Sequence, residues 1–185
     1  MGVFGNRLKL NEARDSGGGV FFIPRKVKDA DPKTNTAAEY EQGLYVAEID
    51  ITKVFDTRKK ETNFVAETII RQSNVPARGV GTRCSWMVGV NLDAAASNIR
   101  SLMIALTGSA LGRTLSTEEI EGEDWDAIAE AAVSKNRFKG TPVAITAFYK
   151  LKKDRQPSNL DAAFDPNVYT RCLFNAVVAS GEKAA

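Results

Sequence analysis

The stretch "GLYVAEIDITKVF", residues 43–55, decides how the rest of the chain is read. Its residues alternate: Tyr45, Ala47, Ile49 and Ile51 share one face, and Glu48 and Asp50 lie on the other. That is the period of a strand with one buried side. The charged run "DTRKKET" follows as a hairpin turn, and "NFVAETIIRQ" reads as the returning strand. In this second strand Phe64 suits either face, and Arg71 shares the parity of Val65 and Ile69. After the Pro/Gly loop "SNVPARGVGT", the run "RCSWMVGV" makes a third strand, with Cys84, Trp86, Val88 and Val90 on its apolar side and Arg83 and Ser85 opposite. An antiparallel meander is expected.

The period then changes. In "LDAAASNIRSLMIALTG", Ile99, Leu102, Met103 and Leu106 fall on one helical face, with Asp93 placed as N-cap and Gly108 as the stop. "STEEIEGEDWDAIAEAAVS" reads as a second helical segment that opens on a capping box and carries the stripe Trp125, Ile128, Ala129 and Ala132. Two strands close the chain, "TPVAITAFYKL" and "NVYTRCLFNAVV", joined by a polar loop. Three strands, a helical insertion and two strands is the order of the OB-fold. The expected fold is therefore mainly β, an OB-fold-like five-stranded antiparallel barrel over residues 43–178, with a helical insertion at 92–134. Residues 1–42, polar and glycine-rich around one short apolar run, read as a partly ordered N-terminal arm, and 179–185 as a short flexible tail.

Composition narrows the function. The chain has no histidine, which excludes Ser-His-Asp and Cys-His nucleophile systems and histidine-based zinc or iron sites. Its two cysteines, Cys84 and Cys172, sit in separate strand-like runs and read as buried free thiols of a reducing cytoplasm. No run approaches the roughly 20 apolar residues that cross a membrane, and the start "MGVFGNRLKL" lacks a signal-peptide core. A binding protein without a cofactor is expected, and not an enzyme.

Net charge is only +2, but it is segregated. Residues 117–130 hold seven acids and no base, whereas 135–155 hold seven bases and the single acid Asp154. In an OB-fold the loops between strands 1 and 2 and between strands 4 and 5 flank the groove for single-stranded nucleic acid. Here the first carries Arg58, Lys59 and Lys60, and the second begins with Lys150, Lys152, Lys153 and Arg155. Phosphates release counterions when paired with such side chains, so both loops are placed to hold a polyanion. The tip "TRKK" taken alone suits a solvated turn equally well.

Strand parity locates the aromatic residues. Val143, Ile145, Ala147, Tyr149 and Leu151 form the expected core face of the fourth strand, leaving Thr146, Phe148 and Lys150 outward. In the fifth, Thr170, Cys172, Phe174 and Ala176 point inward, and Tyr169 and Arg171 outward. Phe148 and Tyr169 are candidates for base stacking, or for packing against the insertion or the arm. Trp86, among apolar neighbours in parity, reads as core. The acidic run reads as a solvated helix face, with a Mg²⁺-dependent nuclease as the catalytic alternative.

"FVAETIIRQSNVPARGVGTRCSWMVGV" followed by "NIRSLMIALTG", and later "KGTPVAITAFYKLKK" and "YTRCLFNAVV", resemble the small single-stranded DNA-binding proteins of tailed phages. The resemblance covers residues 43–178. It implies an OB-fold protein that coats single-stranded DNA without sequence preference during replication or recombination in the bacterial host cytoplasm. It also implies a homo-oligomer, with replication or recombination proteins as possible partners. The tail "SGEKAA" departs from the acidic tails of many such proteins, so recruitment through the C-terminus is in doubt. The expected DNA contacts are Arg58, Lys59, Lys60, Arg83, Lys150, Lys152, Lys153, Arg155 and Arg171 for phosphate, and Phe148 and Tyr169 for bases. A virion structural or assembly protein, using the barrel and arm for subunit contacts, is the alternative.

Overall fold

The computed structural model describes residues 10–11, 37–57, 61–92, 94–152, 155–156 and 167–178. Its strands are β1 (Ala38–Glu39), β2 (Gly43–Asp56), β3 (Thr62–Ser73), β4 (Arg83–Gly89), β5 (Pro142–Leu151) and β6 (Val168–Ala176). They form one sheet in the order β1-β4-β3-β2-β5-β6, curled into a half-barrel. The sheet has six strands and is mixed, where five antiparallel strands were expected. The additional strand is β1, which pairs in parallel with β4 through Ala38 and Glu39. Two residues cannot display a period of two, so nothing in the sequence marks them as a strand. Tertiary contacts hold them instead. Arg78, itself buried in the 3-10 turn Pro76–Arg78, donates to the Glu39 carbonyl at 2.8 Å and pairs with Glu41 at 3.2 Å.

The strand runs read from the sequence all form, but the long first one does not keep a single parity. Register shifts interrupt the β2–β3 ladder between Val46 and Ala47 and between Ile49 and Ile51. At the second, Asp50 and Ile51 both turn outward, so Ile51 is exposed and Thr52 is buried. A bulge of this kind inverts every later side chain in the strand. Placing Ile51 on the core face is corrected accordingly. The buried Thr52 hydroxyl donates to the Ala132 carbonyl at 2.6 Å, tying β2 to the helical layer.

Three helices lie between β4 and β5: α1 (Ala95–Leu111), α2 (Thr117–Gly122) and α3 (Trp125–Lys135). Ile99, Leu102, Met103 and Leu106 of α1 join Trp125, Ile128, Ala129 and Ala132 of α3 in the core with the inward residues of the sheet. Ser116 and Glu119 make the expected capping box. The second helical segment nevertheless splits, because Asp124 accepts from the Ala127 amide and starts α3 afresh. Asp93 lies outside the described residues, and the N-cap position of α1 is Ala94. Nor does Gly108 end α1. The stop is Gly112, at φ 70°, whereas Gly108 lets the helix approach β6 so closely that a Cβ would sit 3.0 Å from that of Ala176. The same core takes in Leu10, Ala38 and Tyr40 from the N-terminal part of the chain.

Candidate nucleic-acid interface

Among the described residues, the helices pack on one face of the sheet; the opposite face, called the open face below, exposes Ile51, Phe55 and Met87 but keeps Val65 and Glu67 largely buried. Cα pairing orders the open face into rows across β2, β3 and β4. Phe55 lies beside Asn63 and Gly89, Lys53 beside Val65 and Met87, and Ile51 beside Glu67 and Ser85. Glu48, Ile69 and Arg83 form a fourth row. Ile51, Lys53 and Phe55 face outward only because of the bulge at Asp50 and Ile51.

The middle of this face is a chain of ion pairs. Arg83 donates to Asp50 at 3.2 Å and to Glu67 at 2.8 Å, and Glu67 also holds Lys53. Beside it Arg71 pairs with Glu48 at 2.6 Å. Three acids and three bases therefore neutralise one another. The exposed Arg71–Glu48 pair stabilises the fold by only about 0–1 kcal/mol, whereas Glu67 is only 9% exposed and needs its cations to offset its burial. The larger consequence of the pairs is electrostatic: a phosphate approaching Arg83 meets a guanidinium already held by two carboxylates.

The β5–β6 end differs. Phe148 and Arg171 are direct cross-strand partners, and the Arg171 guanidinium carbon lies 5.7 Å from the Phe148 ring centre, in cation–π range. Among the described residues, buried Arg171 Nε has no hydrogen-bond partner. Lys150 is exposed one step further along β5, Lys152 is half-buried, and Arg155 is exposed. Lys152 extends the ladder by donating its amide to the Asn167 carbonyl at 2.8 Å. Tyr169, expected outward for stacking, is only 7% exposed, so that expectation is corrected. Its neighbour Thr170, on the opposite face, is buried too, so β6 begins covered on both sides and parity alone gives no exposure there. In β5, Val143, Ile145 and Ala147 are buried as read, but Tyr149 is half-buried and Leu151 exposed.

Arg58, Lys59, Lys60 and Lys153 lie outside the described residues. The strands that carry their loops leave the sheet at opposite ends of β2. The β2–β3 hairpin closes beyond Asp56 and Thr62, whereas β5 runs on past the Gly43–Ala147 pair to Leu151. The two loops thus depart from opposite ends of the open face.

Trp86 is buried against Phe64 and Phe174, with ring centres at 5.8 and 5.0 Å. Cys84 and Cys172 are free and buried; burial pushes the Cys84 thiol up to about 12 and raises that of Cys172 further. Such thiols are poor nucleophiles at neutral pH. The acidic run has structural work. Asp126 accepts the Leu10 amide at 3.0 Å, Asp124 accepts the Asn11 side chain at 3.0 Å, and Glu119 binds Arg113. Among the described residues no group of three or more acids and cysteines could hold a metal ion. None of the described helices is long and apolar enough to cross a membrane.

Sequence reasoning missed Phe55 and Met87, which are exposed on the open face at the hairpin end. One signal was available. Continuing the initial parity of β2 past Ile51 would have buried Lys53, an improbable position for an unpaired ammonium group, and so pointed to a register change. No protein-family model matches the chain, and no curated protein matches it either.

Proposed function

We propose that this protein binds single-stranded DNA without sequence preference along the open face of its sheet, as an OB-fold protein acting in phage replication or recombination. The observation that carries the reading is the strand order. Without β1, the sheet runs β4-β3-β2-β5-β6, so the first long strand pairs with the second and the fourth, as in an OB barrel. The helices lie between its third and fourth long strands. The face left open is the one OB-folds use, and basic segments flank it in the sequence.

The charge pattern supports a particular pose. Phosphates belong at the two ends: at one, Lys150 and Arg171 stand near Phe148, and towards the other the sequence carries Arg58, Lys59 and Lys60. The neutral middle suits uncharged bases, because its carboxylates repel phosphates and already occupy Arg83. Association depends on salt through the end contacts alone. The reaction class is binding, with no cofactor, in the cytoplasm of a bacterial host, and self-association is part of the reading.

Anisotropy of fluorescently labelled oligo-dT across a salt series tests this directly, with duplex DNA and RNA as competitors. Tryptophan quenching is the poorer assay, since Trp86 and Trp125 are only 3% and 1% exposed. Binding that weakens with salt and prefers single strands is expected. Failure to bind any single strand at low salt ends the reading. Subunit assembly in a virion is the second reading, favoured by the hydrogen bonds that Leu10 and Asn11 make with Asp124, Trp125 and Asp126 at the start of α3, since N-terminal contacts of this kind can be exchanged between subunits. It requires ordered assemblies that form equally well without nucleic acid.

A further inference from the structure

At the hairpin end of the open face, Phe55, Met87 and Leu92 surround a cavity of about 580 Å³. These are three large apolar side chains, 39%, 37% and 36% exposed, gathered around one concavity on a face otherwise dominated by ion pairs. The volume falls within the roughly 300–1,000 Å³ of small-molecule sites. The rest of the lining is polar: Asn63, Asn91 and Glu61 offer amide donors and acceptors and a carboxylate.

We infer that this cavity receives one unstacked nucleobase of the bound strand, with Phe55 as its stacking platform. The inference rests on the function proposed above and adds a site to it. Four observations select a base as the occupant. The bulge at Asp50 and Ile51 turns Phe55 outward, where the initial parity of β2 would have turned it inward, and bulges re-aim side chains in this way beside binding sites. Apolar walls with amides and a carboxylate match a flat heterocycle that has apolar faces and a polar edge. An aliphatic occupant would instead strip water from the exposed Asn91 amide without replacing its hydrogen bonds. The cavity is also continuous with the neutral rows of the open face through Phe55, Asn63, Met87 and Gly89, and in sequence Arg58, Lys59 and Lys60 join Thr57 to Glu61, two residues of its lining.

Gly89 supplies an independent handle. It lines the cavity, and a Cβ placed on it would lie 3.6 Å from both Asn63 Oδ1 and Leu92 Cγ, in ordinary contact. A larger side chain there fills the space without disturbing the buried face.

The test compares Phe55→Ala, Phe55→Tyr and Gly89→Val with the unaltered chain in oligo-dT titrations over several salt concentrations. Loss of one stacked base is worth roughly a fivefold to hundredfold weakening. That weakening is expected for Phe55→Ala and Gly89→Val with the slope against salt unchanged, while Phe55→Tyr binds like the unaltered chain. Photo-crosslinking of the unaltered protein to oligonucleotides bearing 5-iodo-deoxyuridine gives a readout independent of variant folding, with adducts expected at Phe55 or Met87. Variants that bind as tightly as the unaltered chain, or adducts confined to β5 and β6, overturn the base site and leave the function standing. No binding by the unaltered chain overturns both.

Discussion

The two faces of the sheet are built from the same strands and behave oppositely. Inward, β2, β3 and β4 present Ala47, Ile49, Phe64, Ala66, Trp86 and Val88, all buried under α1 and α3. Outward they present Lys53, Glu67 and Arg83 in mutual ion pairs, with Ile51, Phe55 and Met87 left open to solvent. Phe64 and Phe55 make the contrast sharpest: the first is fully buried, the second is 39% exposed, and they lie on neighbouring strands. Burial sets the stability of this protein on one face, and exposed chemistry is concentrated on the other.

The largest expected effect tests that division. Phe64→Ala should destabilise the fold by about 3–5 kcal/mol in urea unfolding, from lost transfer energy and the cavity left behind. Phe55→Ala, the same change on the open face, should stay within about 1 kcal/mol. Equal losses in the two variants would dissolve the distinction between faces.

Thr52→Val comes next. The shape is kept, but the Ala132 carbonyl loses its donor inside the core, which should destabilise by about 1–3 kcal/mol. A neutral result would mean that water replaces the hydroxyl and that the seam between β2 and α3 is looser than it looks.

Informative for both stability and binding is Glu67→Gln. It removes the negative charge that Lys53 and Arg83 share, while Arg83 keeps Asp50. Because Glu67 is only 9% exposed, the loss of its two charged hydrogen bonds should destabilise by about 1–3 kcal/mol. Oligo-dT affinity should rise, and its logarithmic slope against salt should steepen by roughly one for each further phosphate neutralised in the middle of the face. Unchanged affinity and slope would show that bound DNA avoids the middle of the face altogether.

The smallest effect concerns acid. The Arg113 guanidinium, helped by the Ser116 amide, lowers the Glu119 carboxyl from 4.5 to about 2. A depressed carboxyl stabilises the folded state above its unfolded value, and that contribution fades as pH falls from about 4.5 towards 2. Glu119→Gln should therefore flatten this part of the stability–pH profile slightly and leave neutral pH little changed. A profile identical to that of the unaltered chain would remove Arg113–Glu119 from the acid response.

Much of this architecture was legible beforehand because it rests on local rules. The period-two runs that became β2 to β6, the stripe on α3 and the capping box at Ser116 each depend on residues a few positions apart. The candidate site was only partly legible. Lys150 is exposed where parity turned it outward, whereas Phe148 and Arg171 are half-buried and Tyr169 is buried, because burial towards a strand end depends on what packs there. Arg83 was rightly turned outward, but its partner Asp50 is 33 residues away in sequence and its partner Glu67 is 16 away. No local pattern announces such pairings.

By itself, then, the chain determined which segments become strands and helices, that histidine-dependent chemistry is excluded, and that its acids and bases are separated. These follow from composition and from short-range stereochemistry. Only the tertiary structure decided the sixth strand, the inversion of β2 at Asp50 and Ile51, the neutral ladder and the cavity beside Phe55. Each of these depends on which distant backbone supplies the hydrogen bonds, and a one-residue slip in that register sends every following side chain to the opposite face.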